Sequence, residues 1–182
     1  SVTVGLLNAM HSFQGRKTSK EQLAEEACKI EIEIMGAPIG RQDQYAASFG
    51  GINSISFGEG GVAVEPIEIE NDLLSRVSRN FTLVFTGMTR SASEVLSEES
   101  EDELDKSNRM RVIREHADKA AIMFQNGDLD SIGDLLNETW NAKRGISSLI
   151  TNDSIDELHR KIMSSGAKGA KLLGAGNGLS LI

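Results

Sequence analysis

Cysteine and aromatic residues are scarce in this chain, and so is positive charge. With a single cysteine, Cys28, no disulfide framework can form, and a reducing compartment, the cytoplasm, is the expected setting. Aromatic residues make up 4% of the sequence, which leaves few platforms for stacking bases. A formal charge of −8 repels a phosphate backbone over most of the surface. Nucleic acid is therefore excluded as an expected partner. No apolar run approaches the roughly 20 residues that cross a bilayer, and no basic-then-apolar start marks a signal peptide, so no membrane role is expected. The Walker lysine pattern, the dinucleotide fingerprint and the nucleophile elbow are all missing. His11, His116 and His159 stand apart without metal-ligand spacing.

A chain of 182 residues is long enough to bury a sizeable core without disulfides or metals. An apolar stretch from Ser1 to Met10 has the density of a buried helix. Thr18 and Ser19, each followed three residues later by Glu21 or Gln22, form a capping signature. The helix they open is expected to reach about Met35, with Leu23, Ala27, Ile30 and Ile34 on its buried face, before Gly36 and Pro38 end it. A second helix is expected from Gln42 to Phe49, stopped by Gly50-Gly51. Ile52–Phe57 and Val62–Ile69 alternate apolar and polar residues around a glycine-rich turn, as a hairpin does. Phe81–Phe85 reads as a strand. Residues 91–124 read as helical, with an acidic block at 97–105 that solvates a surface. Asp128 is expected to cap a helix through Trp140, and Asp153-Ser154 another that ends near Gly166. Two short apolar runs around Asn177-Gly178 suggest a final hairpin. Helices and strands in this order favour an α+β fold, with antiparallel strands covered on one face by helices.

The densest polar turn is Gly40-Arg41-Gln42-Asp43-Gln44-Tyr45. A carboxylate there can orient or deprotonate an acceptor hydroxyl while a guanidinium neutralises charge, the needs of phosphoryl transfer. The same residues also suit a short helix capped by Asp43 and solvated by Arg41. Glu31, on the preceding helix, can hold Mg²⁺ through a carboxylate oxygen. Periodicity equally allows it to be an exposed charge, and Glu33 is its rival, since the two cannot share a helix face. Gly174, Gly176 and Gly178 recur at every second position, which permits close backbone approach to a ligand and also suits an ordinary hairpin.

Three ordered segments resemble the GHMP kinase family: Gly40 to Gly51, Phe85-Thr86-Gly87-Met88-Thr89-Arg90, and Gly166 to Gly178. The likeness is strongest to its sugar 1-kinase branch. It implies the rest of an N-terminal α+β domain over 1–80 and an incomplete ferredoxin-like C-terminal domain over 81–182. It further implies ATP and Mg²⁺ as cofactors and a sugar phosphate as the small-molecule partner. The implied reaction phosphorylates an anomeric hydroxyl, with heptose 7-phosphate ahead of fucose as acceptor. A non-catalytic member that binds a metabolite or a protein is the alternative from a different class. By resemblance, Asp43 and Arg41 are catalytic and Glu31 holds the metal. The same resemblance implies that Gln42, Thr86, Gly87, Arg90, Gly174, Ala175 and Gly176 contact the substrate. Asn177 departs from the family's usual glycine. The family's phosphate loop would lie before Ser1, at the head of the first helix, and a further strand after Ile182. The chain is therefore expected to be cut at both ends and, taken alone, to turn over little.

Overall fold

The computed structural model describes residues 1–88, 103–174 and 179–181. Two compact units account for them, Ser1–Pro66 and Ile67–Ile182.

In the first unit, α1 (Val2–Phe13) packs Val4 and Leu7 onto Leu23 and Ala27 of α2 (Lys20–Cys28). The start of α2 follows the expected local logic, because the Ser19 hydroxyl accepts the Gln22 amide at 3.1 Å and satisfies one of the orphan donors of the first turn. The helical path continues to Met35, as anticipated, but residues Lys29–Ile34 widen into a π-helical turn. Its amide bonds reach back five residues, as from Met35 N to Ile30 O at 2.9 Å. Three β-branched isoleucines alternate with charges through this stretch and disfavour regular α packing. Gly36, at φ 67°, then terminates it in a conformation costly for other residues.

Helix α3 (Gln42–Phe49) ends at Gly50 and Gly51, with φ of 63° and 74°. Lys20 fastens its end to the start of α2 by donating to the Phe49 carbonyl at 2.8 Å. Strands β1 (Asn53–Gly58) and β2 (Gly61–Pro66) pair antiparallel from Asn53↔Pro66 to Gly58↔Gly61. The second strand stops three residues short of the expected Ile69, at Pro66, whose ring nitrogen has no N–H to offer the ladder. Ile55, Val62 and Val64 of the hairpin close over Ala24, Cys28 and Tyr45.

The second unit opens with a helix that was not among the expected elements, α4 (Asn71–Asn80), whose Leu73 is buried with Leu129 and Ile132. Strand β3 (Leu83–Phe85) starts two residues later than expected, because Phe81 turns inward and stacks on Phe124 with centroids 6.2 Å apart. Helices α5 (Glu103–Asn126) and α6 (Leu129–Arg144) form an antiparallel pair joined through Gly127 and Asp128. Asp128 caps α6 by accepting Ser131 N at 3.1 Å, and the helix runs one turn past Trp140. Helix α7 (Asp153–Ser164) is capped by Asn152, not by the expected Asp153-Ser154; its side-chain oxygen accepts Ile155 N at 2.9 Å.

Strands β4 (Lys171–Leu172) and β5 (Leu179–Leu181) complete an antiparallel sheet in the order β3-β5-β4. Lys171 pairs with Leu181 and Leu172 with Ser180. The turn expected at Asn177-Gly178 lies outside the described residues. Leu172 carries the sheet onto the helices, buried with Trp140, Ile150 and Ile155. The antiparallel strands and their helical cover make the class α+β. Most of the acidic block expected to solvate a surface also lies outside the described residues. Among the described residues, no helix is long and apolar enough to cross a membrane.

Candidate functional site

The polar centre of the first unit is Glu31. The widened turn that carries it presents its half-buried carboxylate to two neighbouring helices. One oxygen accepts the hydroxyl of Thr3 on α1, and the other accepts the side-chain amide of Gln44 on α3. No cationic side chain pairs with Glu31 among the described residues. Its charge is thus held by neutral donors, which orient a carboxylate without cancelling it.

Gln44 is 1% exposed. With its NH₂ committed to the carboxylate, its Oε1 faces away and has no hydrogen-bond partner among the described residues. Asp43 is the residue before it, exposed on the first turn of α3 beside Gln42, which is also exposed.

Glu33, the rival of Glu31, lies elsewhere. With Glu25, Cys28, Lys29, Ile32 and Arg41 it lines a groove of about 410 Å³. The Arg41 guanidinium sits 5.7 Å from the centroid of the Tyr45 ring and 3.5 Å from its hydroxyl. No ion pair joins Arg41 to Asp43 among the described residues. Burial pushes the Cys28 thiol up, and the nearby Arg41 opposes it; a protonated thiol of this kind is a poor nucleophile. Burial likewise raises the Tyr45 phenol.

In the second unit, Thr86 and Gly87 follow β3. The Thr86 hydroxyl accepts Met88 N at 3.4 Å, and Gly87 adopts φ 75°. Gly174 follows β4 at φ 59°. Its carbonyl accepts Lys143 Nζ at 2.7 Å, and the same ammonium reaches Leu172 O at 3.3 Å. Helix α6 therefore fastens the start of the glycine turn. Arg90, Ala175 and Gly176 lie outside the described residues. Of the isolated histidines, His11 pairs with Glu26 at 2.7 Å, and His116 bonds Thr139 at 2.9 Å.

Sequence reasoning singled out Glu31 and Asp43 but passed over three residues that organise these regions. Gln44 carries a signal, as the neighbour of Asp43 in the densest polar turn. Thr3 and Lys143 carry none, because each reaches its partner across about 30 residues of chain.

For a metal, no group of three or more His, Cys, Asp or Glu gathers among the described residues. One oriented carboxylate, Glu31, does fit Mg²⁺, which is held through one or two carboxylates and completes its shell with substrate phosphates and water. It does not fit an all-protein zinc cage.

Residues 1–51 match the model of the GHMP kinases N terminal domain, and residues 119–182 match that of the GHMP kinases C terminal domain. A D-glycero-alpha-D-manno-heptose 7-phosphate kinase from Campylobacter jejuni is 31% identical over 98% of this chain and 53% of its own length. The bifunctional fucokinase/GDP-fucose pyrophosphorylase of Arabidopsis thaliana is 28% identical over 98% of this chain and 17% of its own. Among solved structures, a D-glycero-D-manno-heptose 1-phosphate kinase from Bacteriodes thetaiotaomicron superposes with a TM-score of 0.74 at 23% identity, over 98% of this chain and 49% of the other. The chain thus spans about half the length of the heptose kinases it matches.

Proposed function

Because this chain belongs to the GHMP kinase family, we propose that the protein transfers the terminal phosphoryl group of ATP to a hydroxyl of a sugar phosphate. The observation that carries this reading is that Gln44, which orients the Glu31 carboxylate, directly follows the exposed Asp43 on the first turn of α3. Phosphoryl transfer asks for little covalent chemistry from the protein and relies on positioning and charge stabilisation. Asp43 orients the acceptor hydroxyl and receives its proton as the new O–P bond forms and the bond to ADP breaks. Glu31 offers an anionic oxygen for Mg²⁺, which, when bound with the nucleotide, neutralises the charge on its phosphates.

The N-terminus of α1 supports a role toward phosphate. No acidic residue occupies its first turn, and a helix N-terminus without acidic side chains favours an anion. Thr86, Gly87, Arg90 and the glycine turn Gly174, Ala175 and Gly176 are assigned to the acceptor side, with Gln42 beside Asp43. Arg41 is assigned to the transferring phosphoryl group.

The acceptor we infer is D-glycero-D-manno-heptose 7-phosphate, phosphorylated at its anomeric hydroxyl to the 1,7-bisphosphate. The Campylobacter relative supports it by its name and by its 31% identity. Fucose is the second reading, favoured by the Arabidopsis relative. The test is substrate-dependent ADP release by the full-length protein with each sugar, alongside an Asp43→Asn variant. Turnover with heptose 7-phosphate that falls by roughly 10²- to 10⁴-fold in the variant is the expected result. Activity on fucose alone removes the heptose assignment, and an unimpaired variant removes Asp43 from the chemistry.

A further inference from the structure

A buried amide is an expensive way to fill space. At 1% exposure, Gln44 forfeits the hydration of both its polar atoms, and among the described residues only one of them, Nε2, recovers a partner. An apolar side chain of similar size would avoid that penalty. The partner it recovers is Glu31, the same carboxylate that Thr3 grips from α1. An ionised carboxylate has about four lone-pair positions. One donor on each oxygen fixes the plane of the group and leaves a lone pair on each oxygen open.

We propose that Gln44 is a positioning residue that sets the Glu31 carboxylate for a divalent cation and ties it to the helix turn that carries Asp43. The proposal rests on the kinase reading above. Gln44 orients a metal ligand as outer-sphere partners do elsewhere, through a hydrogen bond to the ligand. Neutrality is part of the design: an Arg or Lys in its place would compete with the cation for the same charge. The direction of the amide is dictated by the carboxylate, which accepts only from NH₂. Oε1 consequently points away from Glu31, enclosed by the protein and without a partner among the described residues. Because Gln44 and Asp43 are consecutive on the first turn of α3, a shift of that turn moves the acceptor-side carboxylate and the cation-side clamp together.

The experiment measures Mn²⁺ binding to the full-length protein, with a non-hydrolysable ATP analogue present, by the electron paramagnetic resonance signal of free Mn²⁺. Gln44→Met keeps the volume and removes the donor. It is expected to weaken Mn²⁺ by 10- to 100-fold, the usual cost of losing an outer-sphere partner, while nucleotide affinity without metal and the unfolding midpoint stay near wild type. Saturating Mn²⁺ is expected to restore turnover in this variant but not in Glu31→Gln. If Gln44→Met fails to fold, Gln44→Asn withdraws the same donor by one methylene and should show the same loss. Weakened Mn²⁺ in Glu31→Gln with unchanged binding in both Gln44 variants overturns the positioning role and leaves the kinase reading standing. Unchanged binding in all three removes Glu31 as a ligand, and the positioning role with it.

Discussion

Gly133 and Gly169 meet where α6 passes the segment leading into β4, and that contact yields a sharp stability prediction. A Cβ built on Gly169 would lie 1.7 Å from the Gly133 carbonyl oxygen. Ordinary van der Waals contact needs about twice that, and both sides of the clash are backbone, which cannot rotate aside. Gly169→Ala must therefore push the β4 approach off α6 and loosen Leu172 from Trp140. Overpacking of this kind costs about 1–3 kcal/mol, and about 2 kcal/mol is the expected loss here.

Gly145 provides the control, because its added Cβ would lie 2.2 Å from Arg109 Nη1. Judged by distance the two clashes look alike. The obstacle at Gly145, however, is the end of a flexible, half-exposed side chain, so Gly145→Ala should cost under about 0.5 kcal/mol. Trp140, the only tryptophan and 1% exposed, reports on this unit alone. In a urea titration followed by its fluorescence, a slope of about 2 kcal/mol/M turns the expected loss into a midpoint lower by about 1 M. Gly145→Ala should stay within roughly 0.25 M of wild type. Equal shifts in the two variants, or none in Gly169→Ala, would refute the backbone-contact reasoning.

Ser19→Ala removes the acceptor of the Gln22 amide and should cost about 1 kcal/mol, read by circular dichroism during thermal unfolding of the first unit. His159 contributes to the pH dependence of the second unit. Burial pushes its imidazole below the ordinary 6.5, with Arg144 acting the same way, while the Ala170 carbonyl and Asp156 oppose the shift. The unfolded chain therefore takes up this proton more readily than the folded one. The stability that the neutral imidazole contributes is complete above pH of about 6.5 and is lost as pH falls through it toward the lower folded value. His159→Gln should flatten that limb of the urea-midpoint profile, and an unchanged profile would exclude His159 as its source.

Features governed by neighbours along the chain could be read directly. The Ser19 cap, the stop at Gly50-Gly51, the turn between β1 and β2 and the cap at Asp128 each involve residues within about four positions of one another. So does the polar turn containing Asp43. Helix α4 was legible and passed over: Leu73 and Val77 stand four residues apart, and both pack toward Leu129 and Ile132. Asn152 took the cap from Asp153 by a one-residue choice that local propensity does not resolve, since Asn, Asp and Ser are near equals at that position.

Glu31 and Glu33 mark the limit most clearly. Helical spacing places them on different faces, and nothing local says which face meets the polar turn. The π-helical turn and the reach of Thr3 and Gln44, from positions 28 and 13 residues away, turn Glu31 inward and leave Glu33 on the groove. Composition, caps and the ordered motifs were enough for the α+β class and the family, because those depend on residue type and short-range geometry. The orientation of the carboxylate, the register of β4 on β5 and the contact of Gly133 with Gly169 are set by which distant surfaces pack together. That is a property of the folded chain, because the energies that fix it arise only once those surfaces touch.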